Sequence, residues 1–218
     1  MNQNRRIDRR SVLALGAASA LAAAAAPRRA MAADGTATSI DVPAYAQKRN
    51  LSCEYACCTI ATAAFGDWVS EYEFDERVGW SANPHWGFRG DINGQWGNTD
   101  DYGVYPEPLV APLAEFGYRG EVIYAGGNPW PLRSQLDAGL PVIAWLGLWG
   151  DLSFVDYAED GTPFRLTPGY HVVVLHGYDD WGVSISDPGP GIYRTDDWDT
   201  FMHYWNVLDG MALAVSPY

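Results

Sequence analysis

Apolar and polar positions divide the chain into an Ala-rich opening, a helical first half and a strand-rich second half. Cys57, Ile60, Ala61 and Ala64 recur at helical spacing, which predicts a helix over residues 53–65 with a core-facing stripe. Ser52 is placed to cap its start and Gly66 to end it. Ser70 followed by Glu73 forms a capping-box pattern for a short helix ending near Val78. Residues 108–116 before Gly117, and 131–138 before Gly139, predict two more helices. Strand-type runs then dominate, at 121–124, 141–146, 164–167, 171–178, 182–186 and 211–216, with a last helix over 197–205. Helices first and a mostly antiparallel sheet afterwards is an α+β layout rather than a doubly wound one.

Two stretches lack this periodicity. Pro43 holds residues 40–47 extended. Residues 80–105 are rich in Gly, Asn, Asp and Trp; so long an irregular stretch is usually functional or disordered, and its aromatic content argues for order.

The opening has the form of an export signal. Arg5, Arg6, Arg9 and Arg10 precede a weakly hydrophobic run, Ala30-Met31-Ala32 offers small residues for cleavage, and Arg9-Arg10-Ser11-Val12-Leu13 resembles a twin-arginine motif. The expected organisation is a signal peptide at 1–32, a loose leader at 33–39 and one domain at 40–218. The apolar run is shorter than the roughly 20 residues needed to span a bilayer. The expected partners are the twin-arginine translocase during export and a peptide or cell-envelope substrate, with no stable membrane span after cleavage.

Removal of residues 1–32 takes away six Arg and Asp8, leaving 8 basic and 26 acidic residues and a net charge of −18. A balance this acidic disfavours nucleic acid and anionic membranes as partners. Cys53, Cys57 and Cys58 are odd in number and tightly clustered, which is not a disulfide framework. One turn of helix also sets Cys53 and Cys57 in poor disulfide geometry. A free thiol is therefore expected.

Cys53 falls at a helix start, where unpaired N–H groups and the helix dipole favour a thiolate, although Glu54 beside it works the other way. Cys57 and Cys58, deeper in the helix, fit inert core positions. Gln47, six residues before Cys53, can supply an amide that joins the Cys53 N–H as a two-donor oxyanion hole. His171 opens the apolar run 171–175 and suits a general base at a cleft mouth. His176 points to the other strand face. A turn at 179–181 folds 171–178 and 182–187 into a hairpin, which brings Asp187 beside His171 to orient its imidazole. His171, His176, Asp179 and Asp180 cluster in sequence without metal-ligand spacing, so neither metal nor cofactor is expected.

These residues resemble the C39-type cysteine peptidase-like domains of the papain-like superfamily. The resemblance runs through Val42-Pro43-Ala44-Tyr45-Ala46-Gln47, Leu51-Ser52-Cys53-Glu54-Tyr55-Ala56, His171 to Asp179 and Ser186-Asp187-Pro188. Trp86 to Gly94 and Tyr102 to Tyr105 are similar to stand-alone secreted members. It implies a papain-like fold, with N-terminal helices packed on the sheet. It also implies Gln47 in the oxyanion hole, Cys53 as nucleophile, His171 as base and Asp187 as third member. The best-known members are leader peptidases fused to exporters; with an expected signal of its own and no transporter helices in view, this chain is not expected to share that role. Two other functions stay open: a non-catalytic peptide- or glycan-binding module, and a cell-wall amidase of the NlpC type, whose usual nucleophile surroundings Ser52-Cys53-Glu54 does not match. The ten Trp are expected to serve core and loop packing more than binding.

Overall fold

A computed structural model describes residues 37–218, so the expected signal peptide and residues 33–36 lie outside the described residues. Along the chain run β1 (Thr38–Ser39), α1 (Cys53–Ala63), α2 (Glu71–Asp75), α3 (Glu107–Glu115), β2 (Tyr118–Tyr124) and α4 (Trp130–Asp137). Then follow β3 (Val142–Gly147), β4 (Phe154–Tyr157), β5 (Pro163–Leu166), β6 (Tyr170–Tyr178), β7 (Gly182–Asp187), β8 (Ile192–Asp197), α5 (Trp198–Trp205) and β9 (Met211–Pro217). The main sheet is antiparallel, in the order β2-β9-β3-β6-β7-β8, with β1 pairing β6; β4 and β5 form a separate ribbon.

The middle of the sheet, β3 and the 172–175 run of β6, is apolar because both its faces are covered. Trp145, Val172 and Val174 pack towards α1 and α3, while Ala144, Val173 and Leu175 pack towards α4 and α5. Each fully buried aliphatic side chain of this kind contributes about 1.5–3 kcal/mol. Between these layers the sheet is a fixed platform. The Ser70–Glu73 capping box is formed in both directions. Asp197 caps α5 by accepting from the Thr200 N–H at 2.9 Å.

Several expectations change. Ser52 does not cap α1; its hydroxyl turns back to the Arg49 carbonyl at 3.2 Å and towards Glu71 at 3.3 Å. The helix is also buried all round, from Cys53 to Thr62, rather than along one stripe. Its second face lies under the 80–105 insert, where Tyr55 meets Phe88 at 5.8 Å and Glu54 meets Val104. The insert is ordered without regular structure: Arg89 donates to the Thr99 carbonyl at 2.7 Å and pairs with Asp156 at 3.3 Å.

The end of the supposed leader is structured, since Thr38 and Ser39 pair with Tyr178 and Gly177 of β6. The tryptophans depart most from expectation. Trp145 and Trp205 are fully buried, but Trp68, Trp80, Trp86, Trp96, Trp130, Trp149 and Trp181 are exposed. Among the described residues no helix is long and apolar enough to cross a membrane.

The extended segment before α1 is fastened to the far end of the sheet. Ser186 Oγ donates to the Pro43 carbonyl at 2.8 Å, Tyr193 Oη to that of Val42 at 2.6 Å, and the Gln47 N–H to that of Pro188 at 2.8 Å. Gly191, at φ +70°, is required here because a Cβ would come within 2.7 Å of Ala46.

Candidate active site

The β6–β7 hairpin forms with Val174 opposite Ser186 and Leu175 opposite Ile185, and its register shifts at His176. His171 and Asp187 therefore sit together at the ends remote from the turn. His171 Nε2 lies 2.7 Å from Asp187 Oδ1, and both side chains are nearly buried. Asp187 Oδ1 also accepts the Gly189 N–H at 3.0 Å, and Oδ2 accepts Arg194 Nε at 3.0 Å. Burial pushes this carboxyl up, but the His171 bond and charge, together with Arg194 and Gly189, override it and hold it at about 2. A carboxylate so held, with imidazole on one oxygen and guanidinium on the other, stays ionised and fixes the ring.

Because the folded carboxyl titrates at about 2 and the free one at 3.8, its stabilisation is complete above 3.8 and vanishes as pH falls towards 2. The melting temperature of the parent should thus converge on that of an Asp187→Asn variant across this acid window. A gap unchanged down to about pH 2 would contradict the linkage.

Arg194 lies on β8, a strand the sequence patterning did not reveal. Its second partner, Asp196, anchors the guanidinium from the far side. The signal that was available is the short alternation Ile192-Tyr193-Arg194-Thr195 after a turn glycine, too brief to stand out. His176 joins none of this: its Nδ1 lies 3.3 Å from the Ile40 carbonyl, beside β1.

A cleft of about 540 Å³ opens against His171 and Asp187, and Gln47, Lys48, Asn50 and Trp96 also line it. Gln47 is therefore at the site, but its amide faces elsewhere. Nε2 donates to the carbonyls of Arg49 at 2.8 Å and Asn50 at 2.9 Å, and Oε1 is buried with no partner among the described residues. The oxyanion hole expected from the sequence is not assembled in this arrangement, because local carbonyls occupy both amide donors.

Cys53 is the first residue of α1, as expected, and its sulfur lies against the backbone N–H of Val172, next to His171. It is only 6 % exposed and does not line the cleft. Its acidity reverses the expectation: burial first, and then the neighbouring Glu54 charge, push the thiol well above its ordinary value. The Val172 N–H and the helix start act in the opposite direction but are outweighed. All three cysteines are free, with Cys57 and Cys58 wholly buried.

Trp96 projects at the cleft edge, with Nε1 donating to the Tyr170 carbonyl at 2.8 Å and its ring meeting Trp149 edge-on at 5.3 Å. Nothing in the sequence pattern assigned it to the site, since its partner lies 74 residues away.

Helices on an antiparallel sheet, with a helix-start cysteine beside a strand-borne His–Asp pair, make this an α+β fold. The chain belongs to the Peptidase_C39 like family, whose model matches residues 39–213. Among solved structures, it is similar to a protein described as a C39-like peptidase from Bacillus anthracis, at 22 % identity and a TM-score of 0.70. That match covers 84 % of this chain and 98 % of the other. The peptidase domain of Streptococcus ComA, described as a bifunctional ABC transporter, matches at 14 % identity and a TM-score of 0.52, over 82 % and 99 % of the two chains. A double glycine motif protease from an AMS/PCAT transporter, solved with its leader peptide, matches at 15 % and 0.51, over 83 % and 95 %. No curated protein matches the sequence. Family and fold together support a peptidase-like function.

Proposed function

We propose that the chain is an exported cysteine hydrolase that cleaves a peptide or related amide bond through an acyl-enzyme on Cys53. The observation that carries this is the His171–Asp187 hydrogen bond at the cleft, with the Cys53 sulfur against the next residue of the same strand. Asp187 on Nε2 leaves Nδ1 of the ring to act as base. In this scheme Nδ1 takes the Sγ proton, the thiolate attacks the carbonyl carbon, and the imidazolium returns the proton to the leaving amine. Water, deprotonated by the same nitrogen, then attacks the thioester and regenerates the thiol. The Cys53 N–H and the Gln47 amide hold the oxyanion once bound substrate has drawn Nε2 off the Arg49 and Asn50 carbonyls.

Export by the twin-arginine route, with loss of residues 1–32, is part of the proposal and rests on the basic, Ala-rich opening. It directs the search for substrate to peptides and cell-envelope material outside the cytoplasm. A second function, binding without turnover, is favoured by one specific combination: a covered thiol of raised pKa beside a cleft lined by the exposed Trp96, with Trp149 against it. Peptide, isopeptide and muropeptide panels incubated with parent and Cys53→Ala proteins separate the two. Product release by the parent alone is the expected result. Retention of the same ligands by both proteins, with no release by either, would replace the hydrolase by the binding module.

A further inference from the structure

Glu54 is an ionisable side chain with no exposed surface, one residue from the proposed nucleophile. A buried carboxyl is costly unless hydrogen bonds satisfy it. Three groups do so. Oε1 accepts the Val104 N–H at 2.7 Å and the Tyr170 hydroxyl, and Oε2 accepts the Cys53 S–H at 3.4 Å. The Val104 N–H can only donate, so Oε1 must accept; burial pushes the carboxyl above its ordinary value, and the bonds from Tyr170, Val104 and Cys53 pull it back towards the ionised form.

The surroundings are shaped to this arrangement. Gly103, at φ +142°, lets the insert backbone pass close enough for Val104 to reach; a Cβ there would meet Tyr170 Oη at 1.9 Å and Glu54 Oε1 at 2.0 Å. Tyr170 is fixed in turn by stacking on Tyr102 at 4.3 Å, whose hydroxyl lies 2.9 Å from that of Tyr105. The titratable groups facing Glu54 are Cys53, Tyr55, Cys57 and Cys58 on its own helix, Tyr102 in the insert and Tyr170 on β6.

We propose that Glu54 is a positioning residue that keeps the Cys53 thiol protonated in the resting site, by accepting its S–H and setting a negative charge beside it. The inference rests on Cys53 being the nucleophile and adds what restrains it. A helix start alone favours the thiolate; burial first, and then the carboxylate on the adjacent residue, outweigh that advantage. The sulfur proton is therefore held by Glu54 until bound substrate turns the S–H towards His171. An unoccupied site of this kind is guarded against oxidation and alkylation, which need the thiolate.

The test is the rate of iodoacetamide labelling at Cys53 as a function of pH, mapped by peptide mass spectrometry to exclude Cys57 and Cys58. Glu54→Gln, which removes the charge and keeps the shape, should move the midpoint of labelling to lower pH by about one unit, or about tenfold faster labelling below both midpoints. Glu54→Asp, which keeps the charge but draws it back from the sulfur, should fall between the two. Should one variant fail to fold, the other still decides. A midpoint equal to or above that of the parent in whichever folded variant is measured overturns the proposal. His171→Ala in the same series tests the hydrolase reading separately: loss of base assistance there leaves the Glu54 shift standing or falling on its own.

Discussion

Alanine at His171 is expected to lower the rate of substrate hydrolysis by about 100- to 10,000-fold, the usual contribution of a positioned general base. The reason lies in the burial of Cys53. With the thiol pushed well above its ordinary value by burial and by Glu54, almost no thiolate exists near neutral pH without a partner to take the proton. Cleavage should then regain rate only as pH rises towards the titration of the thiol itself. The measurement is hydrolysis against pH for parent and variant, on whichever substrate the panel yields. A variant retaining parental rate at neutral pH would remove His171 from the mechanism. Because Asp187 holds the ring from Nε2, Asp187→Asn should reproduce part of this loss without altering the form of the pH profile.

Alanine at Trp145 should destabilise the fold by about 4 kcal/mol, a large fraction of the ordinary stability of a domain. Trp145 is fully buried on β3, and its indole N–H donates to the Val104 carbonyl at 3.0 Å. Truncation leaves a large cavity and an unpaired buried carbonyl together. Urea unfolding should show the midpoint falling with little change in slope. Trp149→Ala is the contrast. That side chain is 51 % exposed, and losing its edge-on contact with Trp96 should cost about 1 kcal/mol. Equal losses for the two would mean that the insert is not held to the sheet through Trp145.

The site was legible where local chemistry and topology agree. The Val-rich run after His171, a tight turn and the Ile185-Ser186-Asp187 run specify a hairpin, and a hairpin leaves little choice about where Asp187 lies. The ends of α3 and α4 were equally readable from Gly117 and Gly139. What escaped depends on distant neighbours. Ser52 has the right chemistry for a cap, but Arg49 and Glu71 offer its hydroxyl other partners. Gln47 reaches the cleft while its amide turns to the Arg49 and Asn50 carbonyls. Burial of Glu54 and Tyr55, next to Cys53, follows from an insert that shows no periodicity to the eye. The strand carrying Arg194 is an edge with little apolar content, and the ribbon at 154–157 is mostly exposed, so neither shows the core-facing pattern by which strands are recognised.

The fastening of residues 42–47 to the last third of the chain bears on when the cleft comes into being. Pro43 and Ser186 are 143 positions apart, and Val42 and Tyr193 are 151 apart. Contacts of such separation close late, because the loop between them must be ordered before they form. The helix that carries Cys53 can therefore be built long before its surroundings, while the cleft takes shape only when the two ends of the domain meet. A chain still emerging from the ribosome, or truncated before β7, holds its thiol without the clasp that Ser186, Pro188 and Tyr193 supply. The shape of this cleft is a property of the folded domain as a whole.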